Sequence, residues 1–194
     1  MGFLGSDFFI STLDRLKSIF KRPVEAVDVE YFKAAGCVFT NGTHILAGYQ
    51  PRKKKPCITG IGGSRIKGEI FMDTAIRETL EELFEFETIP PKLIAEVQDF
   101  QPMNVIQVSN YVMVIYSFET LESIMRLAST YPVKSRVYYT MPLTLLDLLL
   151  KRIPSGNEEI THMTLLPLVE GLKIQSEFVN DIQEVIHAIR RVKQ

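Results

Sequence analysis

The chain has 194 residues, 46% hydrophobic and 23% charged, with a formal net charge of −1. That is enough for one globular domain with a real core, and the balance of charge excludes a general polyanion-binding surface. The two cysteines, Cys37 and Cys57, form no CxxC pair and read as reduced thiols, and no apolar run reaches the roughly 20 residues of a membrane span, so the expectation is a cytoplasmic chain without structural zinc.

Residues 1–28 form an N-terminal extension and 29–194 the main domain. The first residues, MGFLGS, fit the pattern for N-myristoylation at Gly2, though so short a pattern arises easily by chance. Phe9, Leu13, Leu16 and Phe20 recur at spacings of three and four, which predicts an amphipathic helix over residues 7–21, stopped by Pro23. Such a helix suits packing on the domain, a homodimer contact or a membrane surface. Two apolar runs then flank Thr40-Asn41-Gly42, a hairpin signal. Arg52, Lys53, Lys54 and Lys55 make a basic loop between Pro51 and Pro56. A strand at Cys57–Thr59 leads into Gly60-Ile61-Gly62-Gly63. Met72–Phe84 predicts a helix, Leu93–Val97 and Asn110–Phe118 strands, and Leu121–Leu127 a short helix. Val137–Thr140 predicts another strand and Leu143–Lys151 another helix. A polar loop follows over residues 154–162, and Gln175–Val192 closes the chain with an amphipathic helix carrying Phe178, Ile182, Val185, Ile186 and Ile189 on one side. Short strands interspersed with helices predict an α/β sandwich with a mixed sheet, with amphipathic helices at both termini.

Chemistry concentrates between residues 63 and 85. Glu78, Glu81 and Glu82 stand at i, i+3 and i+4, which on a helix puts three carboxylates on one face. Like charges so placed repel by a few tenths of a kcal/mol per pair. A divalent cation among them would relieve that, and hard cations such as Mg²⁺ prefer carboxylate oxygens. Three glutamates alone also fit a solvated face. The rest of the segment weighs against that: Gly63, then Glu69 after five residues, then Arg77-Glu78 after seven more.

The string G-x5-E-x7-R-E-x2-E-E resembles the Nudix box, the signature of the Nudix hydrolases. The family's closing glycine is replaced by Phe84, its following aliphatic by Glu85, and the aliphatic after Arg-Glu by Thr79. The resemblance implies a Nudix-type α/β/α sandwich. It also implies a hydrolase cutting a phosphoanhydride bond in a nucleoside diphosphate linked to another moiety, with Mg²⁺ or Mn²⁺ as cofactor. By the same resemblance Glu78, Glu81, Glu82 and the Gly63 carbonyl would be metal ligands. Arg77 would hold a box carboxylate, Glu69 would brace Arg77 or a metal water, and the general base would be Glu78 or Glu81, or else Glu158 or Glu159 in the later loop. His162 stands nearby. Arg52, Lys53, Lys54 and Lys55 are candidate phosphate contacts. The substrate stays open between a nucleotide-derived small molecule and capped RNA, which a decapping enzyme would cut to release m7GDP. A catalytically weak nucleotide-binding protein is the remaining reading.

Overall fold

A computed structural model of the chain describes residues 31–52, 54–154, 156, 158–174 and 178–191. The predicted helix at 7–21, the lipidation pattern at Gly2 and Lys53 lie outside the described residues.

The first hairpin forms as its sequence predicts. Strand β1 (Ala34–Thr40) and β2 (His44–Gln50) flank the turn, with register Thr40↔Ile45. The Asn41 side-chain oxygen accepts from the N–H groups of Thr43 (3.0 Å) and His44 (2.8 Å), and Gly42 takes φ 83°, a conformation that favours glycine. Strands β3 (Cys57–Thr59) and β4 (Gly63–Ser64) follow, then helices α1 (Phe71–Phe84) and α2 (Pro91–Gln98). Strands β5 (Asn104–Val108) and β6 (Tyr111–Ser117) pair antiparallel. Helices α3 (Phe118–Ser129) and α4 (Leu145–Leu150), strand β7 (His162–Pro167) and helix α5 (Phe178–Arg191) complete the described chain.

All seven strands belong to one sheet, ordered β3-β2-β1-β6-β5, with β4 on β1 and β7 on β2. The β1–β6 ladder is parallel and the others are antiparallel, so the sheet is mixed and the class is α/β. One edge of β1 is divided: Thr40 pairs with β2, while Ala34 and Ala35 pair with β4. Side chains alternate between the faces. Ala35, Cys37, Phe39, Val112 and Val114 pack with Ile76, Leu80 and Leu83 of α1. Val38, Ile45, Ala47, Met113 and Ile115 pack with Phe178, Ile182, Val185, Ile186 and Ile189 of α5. The sheet is thus sandwiched between α1 and α5, and the apolar face predicted for the final helix is the one it buries. Both cysteines are free thiols, and burial, opposed by Thr79, pushes Cys37 up to about 12.

Two predicted strands are corrected. Leu93–Val97 lies within helix α2; Pro91 stands in its first turn, where a missing N–H costs nothing, and Leu93 and Val97, one turn apart, are its buried residues. Val137–Thr140 forms no strand, because the N–H groups of Val137 and Tyr138 go to the Ser135 hydroxyl at 3.1 and 3.0 Å and not to a ladder. Strands β5 and β7 have no counterpart in the sequence reading. In β5 only Val105 is buried, so the alternation that marks a strand is weak.

Candidate active site

Helix α1 carries the acidic face. Its start is fixed by Asp73, whose carboxylate accepts the Ile70 N–H at 3.1 Å. Arg77 sits at the centre of the charged side chains. Its Nε donates to Glu69 Oε1 at 2.7 Å, and its Nη1 to Glu78 Oε1 at 2.8 Å and Glu81 Oε2 at 2.9 Å. Its Nη2 donates to the Ser64 carbonyl at 2.9 Å and Glu69 Oε2 at 3.1 Å. One guanidinium therefore ties the helix to β4, to the 65–70 loop and to two box carboxylates, a set that only its planar fork can satisfy. Glu69 also accepts from the Ile66 N–H and the Thr74 hydroxyl. Burial raises the Glu69 pKa, but the Arg77, Ile66 and Thr74 hydrogen bonds outweigh it and bring the carboxyl down to about 2. Arg77 itself is held above its ordinary value by its hydrogen bond to Glu69, against burial, with Glu78 adding to the effect. Glu78 moves the other way: burial raises it, opposed by Arg77 and reinforced by Glu81 and Glu69.

The glycines before the helix have a steric reason. A Cβ on Gly63 would lie 2.3 Å from Glu78 Oε2, so only glycine lets that carboxylate lie against the strand. The N–H of Gly62 donates to Glu82 Oε2 at 2.6 Å. Gly62 adopts φ 153°, and its missing Cβ would meet the Tyr111 hydroxyl at 2.4 Å and the Gly36 Cα at 2.5 Å. Backbone and carboxylates thus meet where the edge of β1 passes from β2 to β4. Tyr111 reaches this point from the α5 face of the sheet. Its phenol is held above its ordinary value by burial first, then by the negative charges of Asp181 and Glu82. Asp181, in the first turn of α5, is therefore part of the site's electrostatics. Neither residue was a candidate from sequence, because nothing local links a strand tyrosine or a tail aspartate to the box.

Carboxylate oxygens are the donors a hard divalent cation prefers. Each of Glu78, Glu81 and Glu82 gives one oxygen to the scaffold bonds above. Among the described residues no three His, Cys, Asp or Glu side chains are gathered closely enough to hold a metal ion. Glu69, Glu78 and Glu81 surround Arg77, and Glu82 lies against Gly62.

The C-terminus of α1 is held by packing and main-chain hydrogen bonds. Phe84, where the family pattern has glycine, is fully buried and stacks on Phe86 with ring centroids 5.2 Å apart. The left-handed turn comes one residue later, at Glu85 (φ 48°, ψ 49°), whose N–H donates to the Glu81 carbonyl. Arg152, 8% exposed, then supplies the cap: Nη1 donates to the Leu83 carbonyl at 2.5 Å, and Nη2 to the Glu82 carbonyl at 3.0 Å and the Ile160 carbonyl at 2.7 Å. The Ser135 hydroxyl donates to the Phe84 carbonyl.

The remaining candidates lie toward this end. Glu158 is buried and accepts the Gly156 N–H at 2.8 Å; Glu159 accepts from Gln50 Nε2 at 2.7 Å. Both carboxylates act on Glu85, which burial raises first, against Arg152 and Arg136. Arg52 Nη2 lies 3.5 Å from where a Cβ of Gly156 would stand, so Arg52 reaches Gly156, while Lys54 and Lys55 are exposed.

No family model matches the chain, and no curated protein matches it. Solved structures are similar at low identity, among them the following. A bifunctional NMN adenylyltransferase/ADP ribose pyrophosphatase from Francisella tularensis is 10% identical with a TM-score of 0.40, covering 92% of this chain and 47% of its own. A NUDIX hydrolase from Nitrosomonas europaea is 13% identical with a TM-score of 0.38, covering 81% of this chain and 89% of its own. A NUDIX-family hydrolase from Clostridium perfringens is 10% identical with a TM-score of 0.36, covering 81% and 97%. The chain thus spans about half the length of the bifunctional protein. The site's chemistry is read from its own residues.

Proposed function

We propose that this chain is a Nudix hydrolase that uses Mg²⁺ or Mn²⁺ to hydrolyse a phosphoanhydride bond in a nucleoside diphosphate linked to another group. The observation that carries the reading is the Arg77-centred network, in which every residue of the box string from Gly63 to Glu82 has a specific steric or electrostatic task. A merely solvated acidic face would need none of them.

Glu78, Glu81, Glu82 and the Gly63 carbonyl would hold the cation. When bound, it would neutralise pyrophosphate charge and lower the pKa of a water. The protein's own part is positional. Arg77 fixes the directions of Glu78 and Glu81, and Glu69, kept ionised, fixes Arg77. Water adds to one phosphorus, the bond from that phosphorus to the bridging oxygen breaks, the bridging oxygen departs on the other phosphate with the electron pair, and the water's proton passes to a carboxylate. Glu78 or Glu81 is the base we favour, since Arg77 holds both within the box, while Glu158 is buried against the Gly156 N–H and Glu159 is engaged by Gln50.

The test is a substrate panel: ADP-ribose, nucleoside triphosphates, diadenosine polyphosphates and capped RNA, each with Mg²⁺ or Mn²⁺. Metal-dependent turnover of one class is expected. Glu81→Gln and Glu82→Gln should each remove it while leaving the unfolding midpoint unchanged. Release of m7GDP from capped RNA alone would replace the small-molecule reading with a decapping one. No turnover of any substrate, or rates untouched by both substitutions, would sink the hydrolase reading.

A further inference from the structure

The segment Gly60-Ile61-Gly62-Gly63 enters the box between the two helical layers, and it is packed from both sides. Successive residues of an extended segment point to opposite faces. A Cβ on Gly60 would lie 2.6 Å from Phe178 Cε2, in the first turn of α5. Ile61 is buried in the core on the α1 side. A Cβ on Gly62 would lie 2.4 Å from the Tyr111 hydroxyl, and one on Gly63 2.3 Å from Glu78 Oε2. Gly60 and Gly62 thus face α5, while Ile61 and Gly63 face α1. The hydrolase reading uses Gly63 and Glu78 but gives no task to the wall on the α5 side.

Tyr111 is the polar member of that wall. It pairs with Ala34 in the parallel β1–β6 ladder, so its side chain shares the α5 face with Gly36, two residues further along β1. Its hydroxyl stands 2.2 Å from where a Cβ of Gly36 would be, and so fills the space between the Gly36 and Gly62 backbones. Those backbones are close, with the Gly36 Cα 2.5 Å from the place of a Gly62 Cβ. A side chain at either glycine would leave the hydroxyl no room. On the α1 side, the Gly62 N–H donates to Glu82 Oε2 at 2.6 Å. Gly62 is therefore clamped between a phenol from one layer and a carboxylate from the other. Glycine has the widest choice of backbone conformation, and at φ 153° Gly62 uses it, so this is the residue that gains most from being held.

We propose that Tyr111 is a positioning residue of the box: its hydroxyl, lodged between Gly36 and Gly62, holds the peptide whose N–H fixes Glu82. Tyr111 acts through Gly62 and touches no reacting atom. The proposal rests on the hydrolase reading for its effect on turnover, and not for the hold on Gly62. Tyr111→Phe, which removes the oxygen alone, tests it in the whole chain. Hydrogen exchange of the Gly62 amide, read by NMR, should quicken by about tenfold. The unfolding midpoint, and exchange at Val114 in the middle of the sheet, should stay as in the unaltered chain. On whichever substrate of the panel is turned over, kcat should fall by about tenfold with KM nearly unchanged, because alignment is lost and substrate binding is not. Tyr116→Phe is the control. Its hydroxyl is buried on the α1 face with no hydrogen-bond partner among the described residues, so its loss should leave Gly62 exchange and kcat unchanged. No change at Gly62 in Tyr111→Phe, or faster exchange spread evenly over the sheet, overturns the proposal. Faster exchange at Gly62 with kcat intact overturns it too, since the held peptide would then not serve the reaction. A chain that turns over nothing would remove the hydrolase reading, and the Gly62 amide would still decide whether Tyr111 holds it.

Discussion

Two arginines hold α1 in opposite ways. On the face toward Gly62 and Gly63, Arg77 is shared among the carboxylates of Glu69, Glu78 and Glu81. At the Phe84–Glu85 end, Arg152 donates to main-chain carbonyls and lies over the Tyr138 ring, and Ser135 takes the next carbonyl. The first arrangement holds like-charged acids together; the second closes a helix terminus that would otherwise be buried with orphan acceptors. Glu81 and Glu82 stand in the last turn, so acids and cap share one end of the helix.

If that division of labour is right, the largest effect belongs to the locked end. Phe84→Gly, which puts there the glycine of the Nudix pattern, should cost about 4–5 kcal/mol, from the lost ring and the added backbone freedom, read as a fall in the urea midpoint. Activity per folded molecule should persist; a stabilised variant would mean that the helix prefers to stop at residue 84. Arg152→Met comes next, at about 3 kcal/mol, since it strands buried carbonyls while roughly keeping volume. A thermal midpoint within error of the unaltered chain would break the comparison. On the acidic face, Arg77→Lys should leave stability nearly intact and lower turnover by about 10–100-fold, because one ammonium cannot hold Glu69, Glu78 and Glu81 together. An equal loss of folding and turnover would make the two arginines alike. The smallest effect is a pH dependence. Glu69 falls from an ordinary 4.5 to about 2 in the fold, so its ionised form stabilises fully above 4.5, and that stability is lost as pH drops toward 2. The gap in unfolding midpoint between the unaltered chain and Glu69→Gln should narrow over that window; a constant gap would show that the charge of Glu69 is not what stabilises.

The charged face was legible from the chain because its parts are local. Spacings of three and four put Glu78, Glu81 and Glu82 on one helical face, and Gly63, Glu69 and Arg77 stand on the short strand, the loop and the helix that follow one another. The hairpin at Asn41-Gly42 and the buried face of α5 were legible for the same reason. Leu93–Val97 was misread because five mostly apolar residues fit a strand as well as a helix, and Pro91 decided it. Val137–Thr140 was misread because β-type residues were counted before asking where their N–H groups would go.

What the amino-acid order determined alone is whatever repeats within a few residues: which segments are amphipathic, where a turn must bend, and which acids share a turn of helix. Only the tertiary structure decided that Arg152, 69 residues from Leu83, caps the box helix, that Tyr111 meets Gly62 through the absent side chain of Gly36, and that Phe178 backs Gly60. Such pairings depend on which strand lies beside which, and no local spacing encodes that.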